Sequence, residues 1–348
     1  CIGSVQPTNA KIGSIHNFNP QSKTTTTVAN EVARPVMSFR LPNSKNILIN
    51  AFGHSKGQTY TFNPTTKSTE QVLRDIPGAI CSRIADWDGD GKKDILTLFA
   101  QNKESIVFFK NTGTGFQETA TLLERMPVYG SNSFDLADMN QDGKLDIVVM
   151  MAQAYEGIYY LENKGGGSFK ETPLVKFPPV YGVSYFEMID INKDGFLDIV
   201  MSNGDNWDLS RVKKRFHGVR ILLNDKLNHF KESFFFPMYG ASKAVARDFD
   251  GDGDIDIAAI SFYDDLAKPE QGFIYFENTG NMQFAPTSTP EAANGKWLTM
   301  EVADIDKDGD TDIVLGSFIY TFSEMTQLLM KGIEHFPQLL VLRNNKTN

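Results

Sequence analysis

Apolar and polar positions along this chain fall into short blocks rather than long helical periods. From Val32 onward, β-branched and aromatic residues gather in short runs bounded by Gly, Pro, Asn, Asp or Ser, the punctuation of β-strands. The runs ILTLF, IVVMM, IVMS, IAAI and IVLG are nearly all apolar and predict strands covered on both faces. A shorter segment precedes each run (SRIA, SFDLA, YFEMI, AVAR, TMEVA). A third segment follows and ends beside a turn residue: IVFFKNTGTGF, IYYLENKGGGSF, VRILLNDKLNHF, IYFENTGNMQF and LLVLRNN. A fourth polar-apolar stretch then leads to the next cycle. Four strands per roughly 50 residues predict an all-β chain built as the four-stranded blades of a β-propeller.

Between the first and second strand of five cycles lies one nine-residue pattern, DxDxDGxxD, with Asn allowed at its third place. The copies are Asp86 to Asp94 (DWDGDGKKD), Asp138 to Asp146 (DMNQDGKLD), Asp190 to Asp198 (DINKDGFLD), Asp248 to Asp256 (DFDGDGDID) and Asp304 to Asp312 (DIDKDGDTD); their starts are 52, 52, 58 and 56 residues apart. The stretch from Val32 to Arg74 reads as a sixth cycle without acids, with Ser38, Arg40, Pro42 and Asn46 at the matching places. Six blades are therefore favoured. Seven is the alternative, and the extra blade would have to come from the first 31 residues. The last cycle stops after its third strand, so the segment Thr24 to Val32 is expected to supply its outer strand and cover an open edge.

Alternating acids at places 1, 3 and 5 put three side-chain oxygens on the inside of one tight turn, which suits calcium, a hard cation with six to eight oxygen ligands. Glycine at place 6 allows the reversal, the carbonyl at place 7 adds a ligand, and Asp at place 9 closes the set. The spacing is shared with the EF-hand, which also needs a bidentate Glu at place 12. That place holds Thr97, Val149, Met201, Ala259 and Leu315, and the flanks read as strands, so an EF-hand is excluded.

These loops resemble those of the FG-GAP or VCBS repeat family, the calcium-loop β-propellers typified by integrin alpha-chain heads, over about residues 32–348. The resemblance implies a propeller with calcium loops between first and second strands. It implies about five calcium sites: Asp86, Asp88, Asp90, Lys92 (carbonyl) and Asp94; Asp138, Asn140, Asp142, Lys144 and Asp146; Asp190, Asn192, Asp194, Phe196 and Asp198; Asp248, Asp250, Asp252, Asp254 and Asp256; Asp304, Asp306, Asp308, Asp310 and Asp312. Asn140 and Asn192 keep an oxygen but lose a charge and should weaken their sites. Extracellular calcium modules bind at about 0.1–1 mM. At millimolar calcium and a constant near 0.1 mM, each site adds about 1.4 kcal/mol of stability, the role of a staple between strands.

Charge changes meaning against this background. The chain has 43 acidic and 34 basic residues and a formal charge of -9. Eighteen of the carboxylates stand at ligand places, so five divalent ions would bring the total close to neutral. Nucleic acid is excluded as a partner by the lack of a basic face. Two cysteines, Cys1 and Cys81, cannot build a disulfide framework, and Cys81 is expected as a lone buried thiol. Cys1 followed by a Ser/Thr/Asn/Gln-rich stretch resembles a mature bacterial lipoprotein after removal of a signal peptide. The expectation is then a tether at residues 1–28, lipidated at Cys1, ahead of a single propeller domain at 29–348. Such a monomer would be extracytoplasmic, periplasmic or at the cell surface, or secreted, and would touch membrane only through its anchor.

A glycan or protein partner is expected on the rim opposite the calcium loops. Three turns entering first strands there are nearly identical: Pro127-Val128-Tyr129-Gly130, Pro179-Val180-Tyr181-Gly182 and Pro237-Met238-Tyr239-Gly240; Trp297 follows the corresponding turn of the last cycle. Tyr129, Tyr181 and Tyr239 either pack between blades or form an aromatic ring that meets a ligand. The inserted segment 202–219 adds Trp207 and His217 beside the basic run RVKKR, and insertions on one rim often mark a binding face. Asp135 and Glu187, three residues before their loops, either line an axial channel or pair with neighbours. Sequence motifs for metalloproteases, serine hydrolases and nucleotide binding do not occur, so a binding or scaffold module is favoured. The alternative is an axial-site lyase or hydrolase acting on polysaccharide, with Asp135, Glu187, Tyr181 and His217 as first suspects.

Overall fold

The computed structural model describes residues 13–344 except positions 54, 102, 206–211, 263–267, 320–321, 331 and 334–335. The chain divides into two compact units, Cys1–Lys176 and Phe177–Asn348. In the first, β1 (Gly13–Asn19) and β2 (Thr24–Val32) form a two-stranded antiparallel sheet. Three four-stranded sheets follow. Blade 1 orders β3 (Pro35–Arg40), β4 (Ile47–Ala51), β5 (Gln58–Asn63) and β6 (Ser68–Arg74). Blade 2 holds β7 (Ala79–Ala85), β8 (Asp94–Phe99), β9 (Glu104–Asn111) and β10 (Phe116–Arg125), and blade 3 holds β11 (Ser131–Ala137), β12 (Asp146–Met151), β13 (Gly157–Gly165) and β14 (Ser168–Lys176).

The second unit repeats the plan. Blade 4 consists of β15 (Val183–Ile189), β16 (Asp198–Asn203), β17 (Gly218–Asn224) and β18 (Phe230–Pro237). Blade 5 consists of β19 (Ala241–Arg247), β20 (Asp256–Ser261), β21 (Phe273–Asn278) and β22 (Phe284–Thr287). Blade 6 has three strands, β23 (Trp297–Ala303), β24 (Asp312–Ser317) and β25 (Leu339–Leu342), with the helix α1 (Phe322–Met330) between the last two. Consecutive strands pair antiparallel throughout, and the six sheets are the blades of an all-β, six-bladed β-propeller fold.

Burial explains the apolar runs. Every residue of β8, β12, β16 and β20 is buried, because each second strand has sheet neighbours on both edges and packing on both faces. Outer strands such as β10 bury no residue fully and leave half of them exposed. The core lies between blades. In the first unit, Leu96, Leu98, Ile106 and Phe108 of blade 2 meet Phe134, Ile147, Val149 and Met151 of blade 3. In the second, Val200, Val219 and Ile221 of blade 4 meet Ala244, Ala246, Ile257 and Ala259 of blade 5. A lone blade would leave these faces in water, so stacking stabilises the repeat. Cys81 is a free, buried thiol in the blade 2–3 cluster.

Two expectations are corrected. The β1–β2 hairpin occupies residues 13–32, so the described part of the expected tether is strand, with Ile15, Ala29 and Val32 buried against Ile49, Tyr60 and Phe62 of blade 1. The apolar positions are few and hidden among Thr and Asn, which is why that stretch reads as polar coil. Thr24–Val32 pairs with β1 (Asn19 with Thr24, Gly13 with Val32). The acid-free turn of blade 1 also has a different register. Arg40 pairs with Ile47 as Ala85 pairs with Asp94, which puts Leu41 and Ile47 at loop places 1 and 9 and makes this turn two residues shorter. It carries no acid in either register.

Candidate metal loops and turn aromatics

Each acidic loop joins the first and second strands of blades 2 to 6 and is built by the same hydrogen bonds. The place-1 carboxylate turns inward: Oδ2 of Asp86, Asp138, Asp190, Asp248 and Asp304 accepts the place-6 glycine N–H at 2.9, 2.8, 2.8, 3.1 and 3.2 Å. Those glycines have φ between 85° and 97°, a left-handed conformation that side chains resist. The place-5 carboxylates of Asp90, Asp142, Asp194, Asp252 and Asp308 accept the N–H of Lys92, Lys144, Phe196, Asp254 and Asp310 at 2.7–3.1 Å.

The place-9 aspartates Asp94, Asp146, Asp198, Asp256 and Asp312 are wholly buried at the first residue of the second strand. Their Oδ2 accepts the N–H of the loop's second residue, for example Trp87 at 3.0 Å and Ile191 at 3.3 Å. Their Oδ1 accepts the N–H of an asparagine at, or within two residues of, the end of the third strand: Asn111, Asn163, Asn224, Asn278 and Asn344, at 2.7–2.9 Å. In blades 2 to 5 that asparagine returns its Nδ2 to the carbonyl just before the aspartate, at 3.0–3.2 Å. The strap ties loop, second strand and third strand together. The turn-ending Asn was visible in sequence, but its contact with the place-9 acid was missed. Burial pushes Asp94, Asp146 and Asp256 above the usual carboxylate range and raises Asp198 to about 6.

Three loops bring their carboxylates closest together among the described residues. Carboxylate oxygens of Asp86, Asp88 and Asp94, of Asp248, Asp250 and Asp256, and of Asp304, Asp306 and Asp308 lie within 4.8 Å of one another in each group. In these same loops a buried Oδ1, of Asp86, Asp248 and Asp306, has no hydrogen-bond partner. Leaving such an atom unpaired is costly, and a hard cation satisfies it. The two loops with Asn140 and Asn192 differ, since the N–H of Asp142 and Asp194 bonds to both the place-1 aspartate and the Asn Oδ1, at 2.9–3.1 Å. Basic side chains lean over the acids. Lys110 contacts Asp88 and, at 3.0 Å, Asp90, Lys226 lies 3.5 Å from Asp194, and Arg343 lies 3.6 Å from Asp306. The Lys110 contact holds Asp90 below the usual range. The donor set is oxygen throughout and fits an ion such as calcium.

At the other ends of the strands the turn tyrosines are covered. In the first unit Tyr129 stacks on Tyr155 at 4.3 Å and lies under Arg125 at 4.7 Å, and Arg125 pairs with Glu171. Glu104 is 1% exposed and accepts the N–H groups of Gly130 and Ser131, both at 2.8 Å, fixing the Tyr129 turn to blade 2. No sequence motif marks Glu104. In the second unit Tyr181 stacks between Phe177 at 4.5 Å and Phe216 at 5.2 Å, with Arg220 5.0 Å from its centre. Arg220 is buried and bonds to Asn203 Oδ1 (3.1 Å), the Phe216 carbonyl (2.6 Å) and Glu232.

His217 precedes its third strand as Glu104 stands one residue before Ser105, in matching register. It is 1% exposed, stacks on Tyr239 at 5.8 Å, and neither ring nitrogen has a hydrogen-bond partner. Burial pushes its pKa down to about 4. The histidine is thus an interior group, contrary to its expectation as a ligand contact. Trp297 is likewise corrected: it is fully buried, its indole N–H donates to the Ala292 carbonyl at 2.7 Å, and it packs in the blade 5–6 core. Trp207 lies outside the described residues, as does Cys1. Asp135 pairs with Arg83 at 3.2 Å, and Glu187 accepts the Ala246 N–H and lies 3.3 Å from Arg247. Both acids join neighbouring blades within their own unit.

A model of the FG-GAP-like repeat matches residues 86–149, 138–201 and 248–315. Each span begins at a place-1 aspartate and runs past the loop one repeat on. No curated protein matches the chain. Among solved structures, a protein from Lactobacillus plantarum superposes with a TM-score of 0.56 at 11% identity, covering 90% of this chain and 87% of the other. A candidate 6-phosphogluconolactonase from Bacteroides fragilis gives 0.52 at 12% identity, covering 78% and 75%. At such identities these likenesses show the fold alone. With more than half of its length matched, and matched at the loops and buried strands that define each repeat, this chain belongs to the FG-GAP-like repeat family.

Proposed function

We propose that this protein is a calcium-stabilised, extracytoplasmic propeller that serves as a binding or scaffold module for a glycan or a protein. The observation that carries the reading is the acid loop, built five times at the same turn from oxygen donors, with buried oxygens of Asp86, Asp248 and Asp306 left without partners. Oxygen-only donors on a flexible loop suit calcium rather than the softer transition metals. Asp86, Asp88, Asp90, the Lys92 carbonyl and Asp94 would hold one ion, and the equivalent residues the others. When bound, calcium supplies positive charge and coordination places. The aspartates' own bonds already shape the turn around that position and strap it to the second and third strands. Weak sites of this kind fill at the millimolar calcium found outside the cytoplasm.

Asp135 and Glu187 are held in blade-to-blade pairs, which favours a non-enzymatic role for them. The candidate partner contacts are the turn aromatics, taken unit by unit: Tyr129 with Tyr155 in the first, and Tyr181 and Tyr239 with their stacked neighbours in the second. A glycan array and a proximity-labelling screen with calcium-loaded protein test this. Binding that falls at least tenfold in Tyr129→Ala, Tyr181→Ala or Tyr239→Ala supports the surface. Unchanged binding in all three removes it.

A further inference from the structure

We propose that the first unit holds a second, separate binding site, for an acidic saccharide, beside the one blade that has lost its acidic loop. A cleft of about 920 Å³ opens at the metal-loop end between the blade 1 turn at 41–46 and the blade 2 hairpin at 111–117. This volume falls within the roughly 300–1,000 Å³ of small-molecule clefts. The blade 1 turn is two residues shorter than the acidic loop of blade 2, and its shortness leaves the space. The far wall is held in place by Gln71, whose amide donates to the Phe116 carbonyl at 2.5 Å and accepts the Phe116 N–H at 2.9 Å. The cleft therefore has walls from two blades joined by a two-point clamp.

Its chemistry selects the ligand. Asn46, Thr61 and Gln117 present amides and a hydroxyl, groups that exchange hydrogen bonds with sugar hydroxyls. Phe116 adds an apolar surface for the C–H face of a pyranose ring. Lys92 and Lys93 stand on one side against a single lining carboxylate, Glu70, so the lining favours an anion. Lys93 makes no ion pair among the described residues, and Lys92 is 3.6 Å from Asp90 with an exposed side chain. An adjoining hollow of about 500 Å³ runs along Arg40 to Lys45 and extends the basic character past Pro42. Hydroxyl-directed amides, one aromatic and two ammonium groups, that of Lys93 without an ion pair among the described residues, together fit a uronate-containing chain. A neutral sugar would leave the lysines unused, and a simple phosphate would leave the Phe116 ring face unused.

This site is independent of the turn tyrosines. The test is titration calorimetry of the whole chain, in millimolar calcium, with tetragalacturonate, its methyl ester and inorganic phosphate. Tetragalacturonate is expected to bind, to weaken as salt rises, and to lose at least tenfold in affinity in the K92Q/K93Q variant. The ester should bind at least tenfold more weakly, and Tyr129→Ala should change nothing. A second variant, Thr61→Val, removes a hydroxyl at nearly constant volume and should weaken binding severalfold. Lys93→Gln alone, at a residue outside the calcium ligand set, should also weaken tetramer binding with an unchanged melting temperature in calcium, which separates a lost contact from a disturbed blade 2 loop. The proposal is overturned by no binding of the tetramer, by equal binding of the ester, by unchanged affinity in K92Q/K93Q, or by phosphate binding as tightly as the tetramer. Affinity lost in Tyr129→Ala but kept in K92Q/K93Q overturns it while leaving the turn surface in place.

Discussion

Replacing His217 with leucine tests what a buried, unpartnered imidazole does to this fold. The ring is 1% exposed, both nitrogens lack partners, and Lys214 and Arg220 reinforce the burial that pushes its pKa down to about 4. In the unfolded chain the same group titrates near 6.5. Between those values the unfolded state binds more protons, so stability rises with pH, is complete above about 6.5 and is lost as pH falls toward 4. A difference of about 2.5 units corresponds to about 3 kcal/mol. Leucine has similar bulk and no proton, so the variant should lack this component. At pH 7.5 it should be as stable as the parent or about 1 kcal/mol more so, since two unsatisfied polar atoms are removed. The assay is urea unfolding of both proteins at pH 7.5, 6.5, 5.5 and 4.5 in constant calcium. Carboxylates titrate in both proteins and cancel in the difference, which should grow toward low pH. Parallel profiles would refute the reasoning, because they would mean His217 is solvated or paired.

Other perturbations follow from single contacts. Glu104→Ala leaves the N–H groups of Gly130 and Ser131 unpaired in a buried turn and should cost about 2–4 kcal/mol in urea unfolding, whereas Lys103→Ala, which breaks an exposed pair with Glu124, should cost under about 0.5 kcal/mol. Asn224→Ala removes the bond to the Leu197 carbonyl and the acceptor for the Lys226 and Asn228 N–H groups, a loss of about 2–3 kcal/mol measured the same way. Asn140→Asp and Asn192→Asp add a charge beside the ion, worth about 1 kcal/mol or more at surface dielectric, and calorimetry should show calcium affinity rising about fivefold or more.

Much of the fold was legible in the sequence because it is repeated. DxDxDGxxD and the apolar run after it recur five times, so loop position, strand order and blade number follow from alignment of the chain with itself. Blade 1 was recognised by its strands but misaligned at its turn, since Ser38, Arg40, Pro42 and Asn46 carry no acid to set the register. The β1–β2 hairpin was missed for a related reason: it has no counterpart in the repeat, and its buried residues are only Ile15, Ala29 and Val32 within polar strands. Burial of lone residues was the least legible. Trp297 and His217 read as ligand contacts, yet one is packed in the core and the other is sealed under Tyr239. The strap between the place-9 aspartates and the strand-ending asparagines joins residues 17 to 32 positions apart, which only strand pairing brings together.

Thermal unfolding of the purified chain in 2 mM calcium, in 2 mM magnesium and in excess EGTA measures the central claim most directly. Each filled loop contributes about 1.4 kcal/mol at ten times its dissociation constant, so several together raise the midpoint by at least about 5 °C. The rise should appear with calcium, be smaller with magnesium, and shrink when Asp86, Asp248 and Asp304 are changed to Ala. An identical midpoint in calcium and in EGTA would contradict the claim.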